Sequence, residues 1–157
     1  MVGERMTAID LGEDPLALER QVCFALSVAS RTVIGIYRPL LEPLGLTHPQ
    51  YLVMLALWER SPRSVRDLCQ ALHAEPATLS PMLKRLEAIG YVTRERNRAD
   101  ERELSVTLTP EGRSLRSEAE KIPYRVVETL GMEVSELQEL HAALTRVIAA
   151  ATRADAP

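Results

Sequence analysis

The chain has 157 residues, of which 46% are hydrophobic and 26% are charged, and its formal net charge is −3. These values are typical of one soluble domain with a hydrophobic core, and they exclude a disordered chain or one that is basic throughout. No apolar run reaches the roughly 18 residues of a membrane-spanning helix, and the first 15 residues lack a signal-peptide pattern, so we expect a cytoplasmic protein without membrane contact.

The first predicted helix runs from Asp14, whose side chain can cap it, to about Leu41. Pro15 fits the first turn, where a missing amide hydrogen has no cost. Apolar and small residues then recur at nearly every seventh position, which is typical of a seam between two helices. They are Leu16, Cys23, Leu26, Ser30, Val33, Tyr37 and Leu41.

Three more helices are predicted before residue 90. Thr47, with Pro49 after it, begins a second helix that carries Tyr51, Leu52, Leu55 and Trp58. Ser64 caps a short third helix with apolar positions Val65, Leu68, Cys69 and Leu72. A fourth helix extends to Ile89 and is closed by Gly90 as a left-handed cap. Its predicted core residues are Leu79, Met82, Leu83, Leu86 and Ile89.

From Tyr91 the hydrophobic period changes to two, with Leu104, Val106 and Leu108 following the loop "RNRADERE", which predicts a β-hairpin. "TPEG" opens a fifth helix that Pro123 should kink or interrupt. The last helix, "VSELQELHAALTRVIAAAT", is amphipathic. The predicted fold class is therefore mainly α with a small β-hairpin wing.

Helix, turn, helix and hairpin in that order, over residues 64–109, form a winged helix-turn-helix. Between Pro76 and Arg98 five basic residues face two acidic ones, so the local charge is +3 although the whole chain is negative. Small polar residues at the front of a helix, followed by lysine and arginine, suit entry into the DNA major groove and contact with phosphates. The alternative for Lys84 and Arg85 is a solvated helix face.

We predict DNA contacts from the second helix of this motif and from the wing tip, where arginine suits the minor groove. The residues are Ala77, Thr78, Ser80, Pro81, Lys84, Arg85, Arg98 and Arg102. Asp100 has two interpretations. It either forms a surface ion pair with Arg102 or holds the shape of the wing.

The segment "ATLSPMLKRLEAIGYVTRERNRADERELSVTLTPEG" resembles the recognition helix and wing of the MarR family of dimeric transcription regulators, including the wing signature Asp100, Arg102, Leu108 and Thr109. The segment "CFALSVASR…YRPLLEPLGLTHPQYLVMLALWE" is similar to the organic hydroperoxide sensor branch. The resemblance implies a single domain over 1–157, with dimerisation helices in 1–48 and 110–157 and the winged helix-turn-helix in 49–109.

The branch implies a homodimeric repressor of a palindromic double-stranded DNA operator. An organic hydroperoxide oxidises a cysteine of the first helix, and the dimer then leaves the DNA. Tyrosines hydrogen-bond the sensing thiolate in this branch, and the matching positions here are Cys23 and Tyr37. Ser27 and His48 stand where the branch has further tyrosines.

Cys23 and Tyr37 are 14 residues apart, hence about 21 Å along a helix. They cannot touch within one chain, but two helices crossing antiparallel near Ser30 would bring each cysteine to the other tyrosine. A start at Asp14 puts Cys23 beyond the first turn, so activation of its thiol is expected from neighbours such as Arg20. Cys69 lies among apolar residues, so we expect a low-molecular-weight thiol to resolve the sulfenic acid.

Other classes remain open. Cys23 can be structural, in a repressor that a small aromatic ligand releases. A thiol peroxidase or hydrolase using Cys23 with His48 or His141 lacks an orienting third group, so we expect no enzyme and no catalytic residues. A helix-mediated interaction module is the third class. The spacing of cysteines and histidines predicts no metal site and no cofactor.

Overall fold

The computed structural model describes residues 12–156, so the part of the signal-peptide argument that rests on residues 1–11 lies outside it. The chain divides between Ile36 and Tyr37 into two units, each of which is described by itself. Helix α1, Val22–Leu41, contains the point of division.

The first unit shows that the predicted helix start at Asp14 is wrong. The Asp14 carboxylate accepts the amide hydrogen of Leu16 over 3.0 Å, and a 3₁₀ turn follows at Leu18–Arg20. The Gln21 backbone is extended, and its side-chain amide donates to the carbonyls of Pro15 and Ala17. These local hydrogen bonds hold a separate turn, so α1 begins only at Val22.

The second unit opens with the end of α1, a 3₁₀ turn at Glu42–Leu44, and helix α2, His48–Glu59. The predicted start of α2 is confirmed. The Thr47 hydroxyl accepts the Gln50 amide hydrogen, and the Gln50 side chain accepts the Thr47 amide hydrogen, which together form a capping box.

The helix-turn-helix consists of α3, Val65–Leu72, and α4, Pro76–Ile89. Ser64 caps α3 as predicted, because its hydroxyl accepts the Asp67 amide hydrogen over 3.0 Å. Gly90 closes α4 with a φ of 98°, as predicted, since a left-handed residue without a Cβ ends a helix at low cost.

The wing is a three-stranded antiparallel sheet of order β1-β3-β2, with β1 at Arg63–Ser64, β2 at Val92–Arg96 and β3 at Leu104–Leu108. The hairpin is confirmed, with Val92 opposite Leu108. Strand β1, which pairs with Val106 and Ser105, was not predicted. Two residues are too few to show a period of two.

Four helices follow: α5, Pro110–Ser114; α6, Arg116–Ala119; α7, Ile122–Leu130; and α8, Val134–Ala154. The interruption that Pro123 predicted is confirmed, since this proline lies in the first turn of α7. The fold is a winged helix, mainly α with a small sheet.

The core of the second unit forms where α2, α3, α4 and the sheet meet. Leu79, Leu83 and Leu86 of α4 are buried as expected. Ile89 is wrong as a core residue because it is 44% exposed at the end of α4. Within the described residues 12–156, helix α8 has no buried residue and α1 has one, Leu41.

His73, between α3 and α4, has a φ of 51°, a left-handed conformation that costs an L residue free energy. We expect His73→Gly to raise the free energy of unfolding by about 0.5–1 kcal/mol. Glycine removes the steric cost of the left-handed conformation, but it loses more backbone entropy on folding, which offsets part of the gain. Urea denaturation measures the change. Ala71→Gly, inside α3, is the control and should lower stability by about 1 kcal/mol. Destabilisation by both substitutions would contradict the prediction.

Candidate nucleic-acid interface and cysteine site

The outer face of α4 carries the residues that were predicted to contact DNA. Ala77, Thr78 and Pro81 are exposed, and Ser80 is half-buried. Lys84 and Arg85 are exposed and form no ion pair with any residue in the range 12–156. These two cations are therefore free to meet phosphate groups, and α4 can enter a groove with small side chains in front.

Arg94 was counted among the basic residues that could contact DNA, but in the structure it forms an ion pair with Glu87. Its guanidinium donates two hydrogen bonds to the Glu87 carboxylate, over 3.1 and 3.3 Å. The hydrogen bond from Arg94 holds the pKa of Glu87 below its ordinary value. This pair ties β2 to α4, and it removes one cation and one anion from the surface that DNA would meet.

The wing loop is organised by its own polar side chains. The Asp100 carboxylate accepts the Arg102 amide hydrogen over 3.0 Å, and the Asn97 side-chain oxygen accepts the Ala99 amide hydrogen over 3.0 Å. Asp100 and Arg102 form no side-chain ion pair in the described part of the chain. Arg98 and Arg102 are both exposed at this loop.

Tyr91 connects the end of α4 to two other elements. Its hydroxyl donates to the Leu44 carbonyl over 2.7 Å, and its carbonyl accepts the Thr109 amide hydrogen over 3.0 Å. Beside it, the Trp58 indole donates to the Gly112 carbonyl over 2.8 Å. The end of α4 is thereby fixed to the start of α5 and to the turn that follows α1, and α5 is fixed in turn to α2.

Cys23 is exposed and is the second residue of α1. The expectation that it lies deep inside its helix is wrong, because α1 starts eight residues later than predicted. In the first turn the amide hydrogens have no partners within the helix, and the positive end of the helix dipole favours a negative charge. A cavity of about 290 Å³ is lined by Cys23 and by Pro15, Arg20, Gln21 and Val22.

Tyr37 belongs to a cluster of three rings in the second unit. Its ring centre lies 5.0 Å from that of His48 and 5.8 Å from that of Tyr51. Burial raises the pKa of Tyr37 and lowers the pKa of His48, so near neutral pH both favour their uncharged forms. The sequence analysis missed this cluster, although Tyr51 follows His48 at the helical spacing of three.

The predicted pairing of Cys23 with Tyr37 joins the two units and stays a prediction. Cys69 is half-buried in α3 rather than fully enclosed, while its neighbour Leu68 is buried. Within residues 12–156 no three side chains of histidine, cysteine, aspartate or glutamate gather as a metal site. None of the helices in that range has the length and apolar character to cross a membrane.

Comparison with known proteins gives consistent matches. Residues 35–119 match the family described as "Transcriptional regulator SarA/Rot". The chain is 39% identical over 131 residues to the organic hydroperoxide resistance transcriptional regulator of Bacillus subtilis, covering 83% of this chain and 89% of that protein. It is 43% identical over 128 residues to the HTH-type transcriptional regulator TtmR of Methylorubrum extorquens, covering 82% of this chain and 66% of TtmR.

Among solved structures, reduced AbfR bound to DNA aligns with a TM-score of 0.76 and 32% identity, over 98% of each chain. The disulfide form of AbfR aligns with a TM-score of 0.59 and 35% identity, over 85% of this chain and 94% of that one. Fold, exposed cations and relatives define a DNA-binding transcriptional regulator, and not an enzyme. The chain belongs to the MarR family, within which it matches the SarA/Rot group.

Proposed function

We propose that this regulator is a homodimeric repressor that releases its operator when an organic hydroperoxide oxidises Cys23. The observation that carries the proposal is the position of Cys23, exposed in the first turn of α1 beside a cavity that Arg20 also lines. Because Cys23 is exposed, a hydroperoxide can reach its sulfur, which is nucleophilic as the thiolate. The similarity to the organic hydroperoxide resistance transcriptional regulator of Bacillus subtilis supports an organic hydroperoxide as the signal.

The chemistry takes place in two steps. The Cys23 thiolate attacks the terminal oxygen of the hydroperoxide, the O–O bond breaks, and the alkoxide takes a proton from water to leave as an alcohol. A low-molecular-weight thiol then attacks the sulfur of the sulfenic acid, and water leaves as a mixed disulfide forms. Two observations support an external thiol. Cys69 is half-buried in α3 beside the buried Leu68, which limits its access to a second thiol, and the sequence has no cysteine after it.

The proposed dimer rests on apolar side chains of α1 and α8 that are exposed to solvent in a single chain. Val134 is 56% exposed, Leu140 49% and Ile148 52% along α8, and Val22 is 65% exposed in α1. Large apolar patches of this kind mark protein interfaces. We assign dimerisation to residues 1–48 and 110–157, DNA contact to residues 49–109, and the second sensor group to Tyr37 of the partner subunit.

An added thiol group needs to shift the DNA-binding equilibrium only moderately. A hundredfold loss of affinity corresponds to about 2.7 kcal/mol of coupling, which is in the usual range for allosteric proteins. Extra volume in a packed helix seam costs about 1–3 kcal/mol. The strain from one mixed disulfide per subunit is therefore large enough to displace the two recognition helices.

The test uses a DNA duplex selected by the reduced wild-type protein from a random library. After one equivalent of cumene hydroperoxide per subunit with free cysteine present, we expect the Kd of wild type to rise at least about a hundredfold, by the coupling given above. Cys23→Ser should bind equally before and after treatment, and Cys69→Ser is the matched control that should respond like wild type. Release of Cys23→Ser by the peroxide would overturn the redox proposal.

A second candidate function rests on a cavity in the second unit. It has a volume of about 650 Å³, within the range of small-molecule sites. It is lined by Tyr51, Leu55, Trp58, Glu59, Arg116, Ala119, Glu120, Pro123 and Tyr124. Arg116 is paired with Glu120 over 3.1 Å, so the aromatic rings of the lining suit a small uncharged aromatic ligand that would release the repressor.

The cavity contains the only tryptophan of the chain, which makes ligand binding visible in the intrinsic fluorescence. If this candidate is right, an uncharged phenol such as 4-hydroxybenzaldehyde should quench Trp58 saturably and should release DNA from Cys23→Ser as well as from wild type. Quenching without release would leave the cavity without a regulatory role.

A further inference from the structure

A groove lies between the start of α3 and the wing loop. Its volume is about 520 Å³. It is lined by Val65, Arg66, Asp100, Arg102, Glu103 and Leu104. Arg102 was predicted to contact DNA from the sequence, whereas Arg66, the second residue of α3, was not. The groove therefore places a second arginine beside the one expected to read DNA.

Both arginines are uncommitted. Arg66 and Arg102 are exposed, and across the described residues neither guanidinium forms an ion pair. This distinguishes Arg66 from its neighbours Arg60 and Arg63. Arg60 donates to the Asp67 carboxylate over 2.6 Å, and Arg63 is buried beside Glu59. Of these three arginines around the start of α3, Arg66 alone is both exposed and unpaired.

The two acidic residues of the groove, Asp100 and Glu103, accept hydrogen bonds from other residues of the wing. One Asp100 carboxylate oxygen accepts the Arg102 amide hydrogen, and the Asp100 carbonyl accepts the Glu103 amide hydrogen. The Glu103 carboxylate accepts the Asn97 side-chain amide over 3.3 Å. These carboxylates stabilise the turn, and among the described residues neither forms an ion pair with Arg66 or Arg102, so both guanidiniums remain available to a phosphate.

We propose that this groove holds the phosphate backbone of one DNA strand, with Arg66 bound to a phosphate that flanks the minor groove entered by Arg102. The inference rests on the proposed DNA-binding function and adds a contact from α3 to it. The first helix of a helix-turn-helix crosses the DNA backbone while the second reads bases. Arg66, at the start of that first helix and beside the wing, binds the phosphate whatever the base sequence.

Salt dependence of binding tests the contact, using the selected duplex and the reduced protein. Each phosphate contact releases counterions and steepens the dependence of log K on log salt. In a dimer, Arg66→Gln should flatten that slope by about 2 and weaken binding alike on selected and unrelated duplexes. Arg66→Lys should retain the wild-type slope, because lysine keeps the charge. Arg125→Gln is the control and should leave the slope unchanged, because this arginine of α7 is exposed and forms no ion pair with the residues that the structure describes.

The outcomes separate this inference from the function on which it rests. A flat salt dependence of the wild-type protein would overturn DNA binding itself. A steep wild-type slope that Arg66→Gln leaves unchanged would overturn the phosphate contact alone. A loss confined to the selected duplex would assign Arg66 to base reading and would also contradict the proposal. Circular dichroism of Arg66→Gln should match wild type, since Arg66 is exposed and unpaired.

Discussion

Gly112→Ala is expected to lower the free energy of unfolding by about 3 kcal/mol, the upper part of the range for overpacked sites. A Cβ at this position would lie 2.1 Å from the Tyr91 carbonyl oxygen and 3.0 Å from its carbon. Both are backbone atoms, and the same carbonyl accepts the Thr109 amide hydrogen. The clash cannot be relieved by rotating a side chain, so α5 must move away from the wing.

Urea denaturation at equal protein concentration measures the loss, since the stability of a dimer depends on concentration. Gly35→Ala is the matched control because, outside the backbone of its own helix and its two chain neighbours, no atom of residues 12–156 lies within 4 Å of the added methyl group. It should raise stability by up to about 1 kcal/mol, the helix preference of alanine over glycine. Equal stability of Gly112→Ala and wild type would show that α5 does not approach Tyr91 this closely.

Gly112→Ala should also weaken the bond between the Trp58 indole and the Gly112 carbonyl, because that carbonyl moves with α5. Fluorescence of the folded variant reports this displacement through the single tryptophan. An unshifted Trp58 spectrum together with a full loss of stability would place the strain in the wing instead of α5.

Leu140→Asp combined with Ile148→Asp is expected to convert the protein into a monomer with little operator affinity. Both side chains are about half exposed in one chain, on a helix that buries none of its residues. In a symmetric dimer each change occurs twice, and a buried unpaired carboxylate is strongly disfavoured. The dimer dissociation constant should rise at least about a hundredfold, which is about 2.7 kcal/mol.

Sedimentation velocity measures the dimer, and DNA titration measures the consequence. A monomer contacts one half-site, so it should lose most of the affinity that two linked half-sites provide. Gln138→Asp is the control: it adds one carboxylate at an exposed polar position of α8 and should leave the dimer intact. A dimeric Leu140→Asp, Ile148→Asp variant would exclude α8 from the interface.

Local sequence signals placed most of the helices correctly because their cause is local. The Thr47 and Gln50 capping box, the Ser64 cap and the left-handed Gly90 each depend on residues within four positions. The burial of Leu79, Leu83 and Leu86 follows from helical spacing. For the same reason the exposed cations Lys84 and Arg85 could be assigned to the outer face of α4.

The start of α1 could not be predicted because two local signals compete there. Asp14 and Pro15 form a good helix start, yet the Asp14 side chain and Gln21 together hold a separate turn. The difference matters for function, since it moves Cys23 from the middle of a helix to its first turn. Propensity alone cannot decide between a turn and a longer helix when both satisfy the same backbone groups.

The sequence by itself determined the helix-turn-helix, the hairpin that follows it and the cationic face of α4, because periodicity, caps and charge are properties of neighbouring residues. Only the tertiary structure decided which cations are free. It pairs Arg94 of β2 with Glu87 of α4, and it brings Arg66 of α3 beside Arg102 of the wing loop. These relations join different elements of the fold, and distance in space, which no local pattern encodes, sets whether two charges neutralise each other.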